Sequence, residues 1–453
     1  MAQSSTPTPT LLLGAAGRDF HVFNTVYRDD PAHRVVAFTA AQIPGIAGRR
    51  YPASLAGALY PDGIPIEHEA SLEALCREHG VRRVVFAYSD VTHAHVMHLG
   101  SRALACGADF VLHGPEATML RAGRPVVAVS AVRTGCGKSQ TARFVGARLA
   151  RAGLRVAALR HPMPYGDLER ERVQRFATRA DLDAAKCTIE EREEYEPWVA
   201  AGAVIFAGVD YAAILAAAEA EADVLVWDGG NNDFPFVRPD LHLVLVDALR
   251  PDQVTTHHPG EAVLRMADVV VINKVDGAPA HEVARLVAAV RAANPAARVV
   301  RTASPPRLDD AAAVRGRRVL VVEDGPTITH GGMPYGAGFV AATRAGAEVI
   351  DPRHRAAPAI AAVFAAHPHI GRVLPAMGYG DAQRAALRAT IESSTADVVV
   401  SGTPVDLASV LALTKPVVRV RYELEEVDEP GLGAIVDAFV AGRSRTPSTT
   451  IND

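Results

Sequence analysis

The chain has 453 residues, with 47 Lys and Arg against 51 Asp and Glu, so its formal net charge at pH 7 is −4. Hydrophobic residues make up 49% and charged residues 22%, a balance that supports large buried cores and excludes a disordered chain. The small net charge excludes a general attraction to nucleic acid or to an anionic membrane, so any anion site has to be built locally. Neither nucleic acid nor a membrane is therefore expected as a partner.

The cysteines and the first residues indicate the compartment. The cysteines are scattered and form no CxxC pair, which argues against a zinc ribbon or a disulfide framework and fits a reducing environment. The start MAQSSTPTPT has neither a basic region nor an apolar core and does not predict a signal peptide. No apolar run approaches the roughly 18 residues of a membrane span. We expect a soluble, cytoplasmic protein.

Residues 1–123 alternate strand-like and helix-like segments. TLLLGAAG, RVVAFTA, VRRVVFAYSD and ADFVLHGP are typical of buried strands, and SLEALCREHG and VMHLGSRALACG of helices between them. Near-continuous apolar strands that alternate with helices predict a parallel sheet covered on both faces. We therefore predict an N-terminal Rossmann-like α/β domain. Its turn at Gly14 and Gly17 resembles a dinucleotide-binding turn weakly, because it lacks the full GxGxxG pattern.

Further α/β units fill the rest of the chain. The segment RAGRP predicts a linker, followed by a P-loop nucleotide-binding domain over 124–315 with strands such as VVAVSAV, ADVLVWDGG and ADVVVINKVD. A C-terminal α/β region is predicted over 316–440, where RRVLVVEDGP, ADVVVSGTP and KPVVRVRYEL are strand candidates. The tail, 441–453, is predicted to be disordered.

The segment VRTGCGKS, 132–139, matches the Walker A pattern of a phosphate-binding loop, except that Val132 replaces the first glycine. The glycines let backbone N–H groups surround phosphate oxygens, and the helix that follows directs its positive end at them. Lys138 would reach the β- and γ-phosphates as a catalytic cation, and Ser139 would ligate Mg²⁺. The predicted nucleotide-binding residues of this loop are Thr134, Gly135, Cys136, Gly137, Lys138, Ser139 and Gln140.

A Walker B acid is expected at the end of a second apolar strand. ADVLVWDGGNND supplies Asp228, which we predict to act in catalysis and to hold Mg²⁺ through water beside Ser139. Asn231 and Asn232 follow and are predicted to orient the substrate.

The segment VVVINKVD ends in a pattern of guanine-nucleotide-binding proteins. The carboxylate of Asp276 could accept hydrogen bonds from both N1–H and the N2 amino group of guanine. Lys274 could pack over the base, and Asn273 completes the pattern. Backbone N–H groups of RTAS, 301–304, could complete the base pocket. These residues alone favour GTP.

Arg160 and His161 follow another strand of the P-loop domain. Open α/β sheets bind ligands at the carboxyl ends of their strands, so we predict that both side chains take part in catalysis and hold an anionic substrate. His161 would add a hydrogen-bond donor when protonated. The later arginines, Arg170, Arg172 and Arg175, are more typical of a solvated helix, and the histidines of DVTHAHVMH and TTHHPGE more typical of cleft residues than of metal ligands.

Nearly the whole chain resembles the cyclic 2,3-diphosphoglycerate synthetase family, some of whose members are described as predicted GTPases. The resemblance depends on GAAGRDFHVFN, SAVRTGCGKSQTAR, RHPMPYGDL, VEDGPTITHGGMPYGAG and SGTPVDLASVLALTKPVVRVRYEL. It implies an ATP-dependent ligase that closes an intramolecular phosphoanhydride in 2,3-diphosphoglycerate, with Thr329 and His330 among the substrate-binding residues.

Two alternatives stay open. The P-loop proteins of dethiobiotin-synthetase-like topology, the class we predict here, sometimes use the asparagine of NKVD for adenine, so ATP comes first and GTP second. The other function is a regulatory or metal-delivery GTPase of the SIMIBI type. A homodimer is expected.

Overall fold

A computed structural model describes residues 6–43, 45–230, 233–329, 331–378 and 380–443. The chain is α/β throughout, with a Rossmann-like sheet, a larger sheet that carries the P-loop, and a C-terminal sheet, in the predicted order. The predicted fold class is thus confirmed.

The first sheet is parallel except at its β3 edge and has the strand order β3-β4-β2-β1-β5-β7. Its strands β1 and β5 are buried on both faces, as their apolar runs require. The elements of this part are β1 (Thr8–Leu13), α1 (Arg18–Val22), β2 (His33–Ala40), β3 (Arg50–Tyr51), α2 (Ala53–Ala56), β4 (Ile64–His68), α3 (Leu72–His79), β5 (Arg83–Phe86), β6 (Val91–Thr92), α4 (His93–Ala105) and β7 (Asp109–Leu112).

The second sheet places the P-loop strand β8 between β12 and β13, in the order β10-β11-β9-β12-β8-β13-β15-β16-β23, where β23 is Glu425–Glu426. Every residue of β8 and β13 is buried, so the carboxyl ends of the central strands meet at one edge. Its elements before β23 are β8 (Val126–Ala131), α5 (Lys138–Arg151), β9 (Val156–Leu159), β10 (Gln174–Phe176), α6 (Arg179–Ala184), α7 (Ile189–Ala200), β11 (Val204–Ala207), α8 (Tyr211–Glu221), β12 (Val224–Asp228), β13 (Leu241–Asp247), α9 (Gly260–Arg265), β15 (Val269–Asn273), α10 (Ala280–Ala293) and β16 (Arg298–Ala303). Strand β14 (His257–His258) pairs with β6 instead and joins this unit to the first.

The third sheet has the order β17-β22-β21-β18-β19, and β20 pairs with β18. Its core contains Val319, Val321 and Val399, all fully buried. The elements of this part are β17 (Pro306–Leu308), β18 (Arg318–Asp324), α11 (Gly325–Ile328), α12 (Ala337–Arg344), β19 (Glu348–Val349), α13 (Pro358–Ala366), β20 (Leu374–Ala376), α14 (Asp381–Ser393), β21 (Val398–Gly402), α15 (Leu407–Val410), β22 (Val417–Tyr422), β23 (Glu425–Glu426) and α16 (Leu432–Arg443).

The sheets divide the chain at other places than the predicted limits. The third sheet begins with β17, before residue 315, and the chain then returns to the P-loop unit, where β23 pairs with β16. Helix α16 buries Leu432 and Val436 in the core of that unit, because its apolar face packs on α5. The helix covers 432–443, so the predicted disordered tail begins inside it, and 444–453 lie outside the described residues.

Candidate functional site

The P-loop begins at the carboxyl end of β8 and leads into α5. Gly135 and Gly137 have φ angles of 82° and 102°, in the left-handed region that favours glycine. A Cβ at Gly137 would lie 2.2 Å from Nδ2 of Asn273, so a side chain there would push the loop off its support. The loop borders a cavity of ≈ 350 Å³, which we call the P-loop cavity. The predicted residues that line it are Thr134, Gly135, Gly137, Lys138, Ser139, Gln140, Arg160 and His161.

The NKVD segment supports this loop from behind. Nδ2 of Asn273 donates a 2.9 Å hydrogen bond to the carbonyl of Cys136, and Nζ of Lys274 donates at 2.6 Å to the carbonyl of Gly135. Lys274 also pairs with Asp247 at 2.8 Å. Asn273 is fully buried and the Cys136 side chain faces the core, so neither side chain lines the P-loop cavity, and nucleotide binding by Asn273 and by the backbone of Cys136 stays a prediction. Their role here is to hold the loop.

A second cavity, of ≈ 300 Å³, also borders the P-loop. Lys274 and Asp276 line it together with Ser304, whose backbone N–H donates to Oδ1 of Asp276 at 3.0 Å. Its apolar lining comes from both the P-loop unit and the C-terminal unit and includes Leu249, Ile328, Met333, Tyr335 and Val340. An apolar cavity with a carboxylate at its edge suits a purine base. The two cavities share Gly135, Gly137 and Gln140, so one nucleotide could place its base here and its phosphates at the loop.

Arg160 links two carboxylates beside the P-loop. Its Nη2 lies 2.6 Å from Oε1 of Glu194, and its Nη1 lies 3.2 Å from Oδ1 of Asp228. Burial alone would lower the pKa of Arg160, but Glu194 and Asp228 raise it overall, so the guanidinium stays charged. Ser139 donates from Oγ to the other oxygen of Glu194 at 3.3 Å. These contacts tie α5, α7 and the ends of β9 and β12 into one network.

Asp228 lies behind this network. It is fully buried, and Nε1 of Trp198 donates to its Oδ2 at 2.9 Å. Glu194, and not Asp228, lines the P-loop cavity beside Ser139. Arg160 and Trp198 cover the carboxylate of Asp228, so it does not line the cavity in this structure, and its hold on Mg²⁺ through water stays a prediction.

Side-chain oxygens of α5 and α7 beside the P-loop fit Mg²⁺. Ser139 and Glu194 offer a hydroxyl and a carboxylate, the hard ligands that this ion takes, and Mg²⁺ commonly completes its shell with phosphate oxygens and water. Within the described ranges, no group of three or more His, Cys, Asp or Glu side chains could hold a metal without such help.

The side chains of Lys138 and His161 are buried near the cation Arg160. Lys138 is 8% exposed, and burial, followed by the charge of Arg160, lowers its pKa. Burial, with Arg160 and Lys138, lowers the pKa of His161 well below its usual value and favours the neutral imidazole, and its protonation beside a bound phosphate stays a prediction. A Cβ at Gly230 would lie 1.4 Å from Cε1 of His161, so the glycine makes room for the ring.

Helix α7 adds carboxylates that the sequence reading missed. Thr188 caps this helix. Its Oγ1 accepts a hydrogen bond from the backbone N–H of Glu191, and the backbone N–H of Thr188 donates to the side chain of Glu191. Glu190, Glu193 and Glu194 are spaced i, i+3, i+4, so they share one face, and all line the P-loop cavity. That spacing in IEEREEYE was the available signal; a run of glutamates more often marks a solvated helix face.

Several predicted residues lie elsewhere. Thr329 is buried and donates from Oγ1 to the carbonyl of Gly325 at 2.8 Å, because the short helix α11 turns it inward, while Thr327 lines both cavities. Arg172 and Arg175 pair on the surface with Asp210 and Glu221. Asn231, Asn232 and His330 lie outside the described residues.

The N-terminal unit closes one side of the P-loop cavity with Gln42, Ile43 and Asp90. Oδ1 of Asp90 lies 3.1 Å from Nε of Arg133, which belongs to the loop, and Arg133 also contacts His257. The glycine turn of this unit meets the P-loop unit instead of a dinucleotide: a Cβ at Gly17 would lie 2.7 Å from the hydroxyl of Tyr211.

The chain is 56% identical over 430 residues to "Arginine synthetase ArcE" of Thermococcus kodakarensis, a match that covers 95% of this chain and 96% of the relative. Residues 198–303 match the family model described as "Cyclic 2,3-diphosphoglycerate synthetase, P-loop domain". The chain belongs to the cyclic 2,3-diphosphoglycerate synthetase family, together with that arginine synthetase. The predicted resemblance is confirmed, and the family is one of P-loop synthetases. The model match begins after the Walker A segment and covers β11 to β16.

Solved structures give more distant likenesses. LpxK from Aquifex aeolicus, in complex with ATP, is 15% identical with a TM-score of 0.40 and covers 71% of this chain and 90% of its own. The hydrogenase maturation factor HypB from Archaeoglobus fulgidus is 18% identical with a TM-score of 0.24 and covers 41% of this chain and 82% of its own. In the described part of this family member, none of the helices has the length and apolar character that crossing a bilayer requires.

Proposed function

We propose that this protein is an ATP-dependent synthetase that forms arginine or a closely related guanidino compound. The observation that carries the proposal is the charge of the P-loop cavity. Its described lining has more carboxylates than cations, with Asp90, Glu190, Glu193, Glu194 and Asp324 against Lys138, Arg143 and Arg160. A cationic product is attracted to such a wall, and the relative named arginine synthetase matches almost the whole chain.

The chemistry follows from the product. A guanidino carbon carries three nitrogens, and its precursor with one oxygen is a ureido group. Transfer of the γ-phosphoryl group of ATP to that oxygen makes it a leaving group, and ammonia then replaces it as phosphate. The P-loop suits the first step, because phosphoryl transfer needs positioning and charge neutralisation more than covalent help.

Different residues bind the phosphates, hold the metal ion and accept the proton. Backbone N–H groups of 134–138 and the start of α5 hold the phosphates, and Lys138 neutralises charge on the transferring group. Ser139 and Glu194 would hold Mg²⁺, which supplies further charge neutralisation when bound. Arg160 keeps Glu194 in place through its 2.6 Å contact. His161, neutral in this environment, can accept a proton from the attacking nitrogen.

A second candidate is the synthesis of cyclic 2,3-diphosphoglycerate. The match of residues 198–303 to that family's P-loop domain favours it. A substrate with two phosphates and a carboxylate would, however, have to lie against the same acidic wall, while Arg160 already has two carboxylate partners. The regulatory or metal-delivery GTPase has no comparable observation in its favour.

A turnover screen tests the proposal. ATP and GTP are each offered with a ureido amino acid plus ammonium, with 2,3-diphosphoglycerate, or alone, and products are followed by phosphorus NMR and amino-acid analysis. We expect ATP turnover and arginine formation in equal amounts in the first mixture. Turnover coupled to 2,3-diphosphoglycerate would replace the proposal with the second candidate. Hydrolysis that no small molecule stimulates would contradict both.

A further inference from the structure

Two glutamates of α7 are buried where the three units meet. Glu190 and Glu193 are 2% and 3% exposed and line the P-loop cavity. Tyr165 donates from its hydroxyl to Oε2 of Glu190 at 2.7 Å, and Thr403 donates to Oε1 of Glu193 at 2.6 Å. These partners come from RHPMPYGDL and SGTPVDL, segments far apart in the chain.

One oxygen of this pair points to a ligand. Oε2 of Glu193 is buried and has no hydrogen-bond partner among the residues that the structure describes. A buried carboxylate oxygen without a donor is costly, and the cost is removed by a proton or by a cation with N–H groups.

The neighbouring arginine is not that cation. The guanidinium of Arg160 is held between Glu194 and Asp228, on the side of the cavity next to the P-loop. The cavity itself, ≈ 350 Å³ in volume, has room for a small ligand beside the phosphates.

We propose that Glu190 and Glu193 form a subsite for the guanidinium group of the product, with Oε2 of Glu193 accepting one of its N–H bonds. A planar cation with several N–H donors matches a carboxylate better than a point charge does. The subsite deepens the proposed function and rests on it for the identity of the ligand. It also explains why segments from separate units converge on α7.

Calorimetric titration of L-arginine into the full-length protein, with ADP and Mg²⁺ present, tests the subsite. We expect Glu193→Gln, which keeps the shape and removes the charge, to raise the Kd for arginine at least tenfold and to leave the Kd for ADP within twofold. Glu190→Gln provides a second variant if the first does not fold. Glu196→Gln is the matched control, because Glu196 is buried on the same helix but pairs with Arg179 outside the cavity, and it should change neither affinity.

The outcomes separate the subsite from the proposed function. The subsite proposal is wrong if the unmutated protein does not bind arginine, or if Glu193→Gln and Glu190→Gln bind arginine as tightly as the unmutated protein does. Either result overturns the subsite even if the turnover screen detects arginine formation. Binding of arginine or of guanidinium at millimolar concentration that is lost in Glu193→Gln supports the subsite, even if no arginine is formed. Binding of ammonium that displaces arginine, with the same dependence on Glu193, also supports it, since both cations then use this carboxylate.

Discussion

Lys138 is the cation at the start of α5 and lines the P-loop cavity. We expect Lys138→Ala to lower nucleotide turnover roughly a hundredfold or more, because a preorganised charge at the transferring group is lost. Steady-state kinetics measure the effect, and circular dichroism checks the fold. Arg151→Ala, an exposed cation at the other end of the same helix, should keep full activity. A Lys138→Ala variant with more than half of the activity would contradict the P-loop assignment.

Arg160 neutralises the negative charge of two carboxylates in the interior of the protein. Arg160→Met would leave Glu194 and Asp228 without their shared cation, and removing one member of a buried ion pair costs about 3–5 kcal/mol of unfolding free energy. Arg172→Met breaks a pair whose arginine is 56% exposed and should cost about 0–1 kcal/mol. Urea denaturation compares the two variants. Equal losses would show that the Arg160 network contributes nothing beyond a surface pair.

These residues also mark what the sequence could predict. The Walker A loop, Arg160 and His161 were found because short motifs and strand ends fix them locally. The glutamates of α7 were not found, because a run of charged residues in a helix does not indicate that a C-terminal unit will cover that helix. Asn273 was assigned to the base because the NKVD pattern does not distinguish a contact with nucleotide from a contact with the loop. The contacts that decided these cases are long-range.

Strand β13 contains a buried histidine that makes the free energy of unfolding depend on pH. His242 is buried in it and faces Ser130 of β8 at 3.1 Å, and burial lowers the pKa of His242 to about 4. In the unfolded chain this histidine takes up a proton near pH 6.5, whereas in the folded protein it stays neutral down to about pH 4. The free energy of unfolding is therefore unaffected by this histidine above pH 6.5 and decreases as the pH falls from 6.5 toward 4. The loss is at most about 1.4 kcal/mol per pH unit.

Chemical denaturation between pH 6.5 and 4.5 measures this contribution. His242→Gln cannot titrate, so its unfolding free energy should fall less steeply with falling pH than that of the unmutated protein. His281→Gln, at a position 79% exposed, should leave the slope unchanged. An unchanged slope in His242→Gln would mean that this histidine does not titrate differently on unfolding.

Helix α16 binds the end of the chain to the P-loop unit. Leu432 is fully buried in that core, so Leu432→Ala should lower the unfolding free energy by about 2–5 kcal/mol. Val427, which is 48% exposed just before the helix, is the control, and Val427→Ala should change it by less than about 0.5 kcal/mol. Guanidinium denaturation gives both values. A loss below about 1 kcal/mol in Leu432→Ala would show that α16 is not part of the core.

At the scale of the whole molecule, the order of α/β units could be predicted, but their junction could not. Strand periodicity identifies each sheet, whereas the P-loop cavity needs Asp90 from the first unit, Glu193 from the second and Asp324 from the third. No local pattern places these three side chains together. The N-terminal unit therefore has a role in closing the cavity, and the expected homodimer stays a prediction.

In the proposed reaction, the P-loop activates an acceptor oxygen for replacement by nitrogen. The most direct measurement uses a ureido amino acid labelled with ¹⁸O at its carbonyl, together with ATP, Mg²⁺ and ammonium. We expect the label to appear in inorganic phosphate, where phosphorus NMR detects its isotope shift, in an amount equal to the arginine formed. Arginine formed alongside unlabelled phosphate would contradict it, because the acceptor oxygen would then have left without receiving the phosphoryl group.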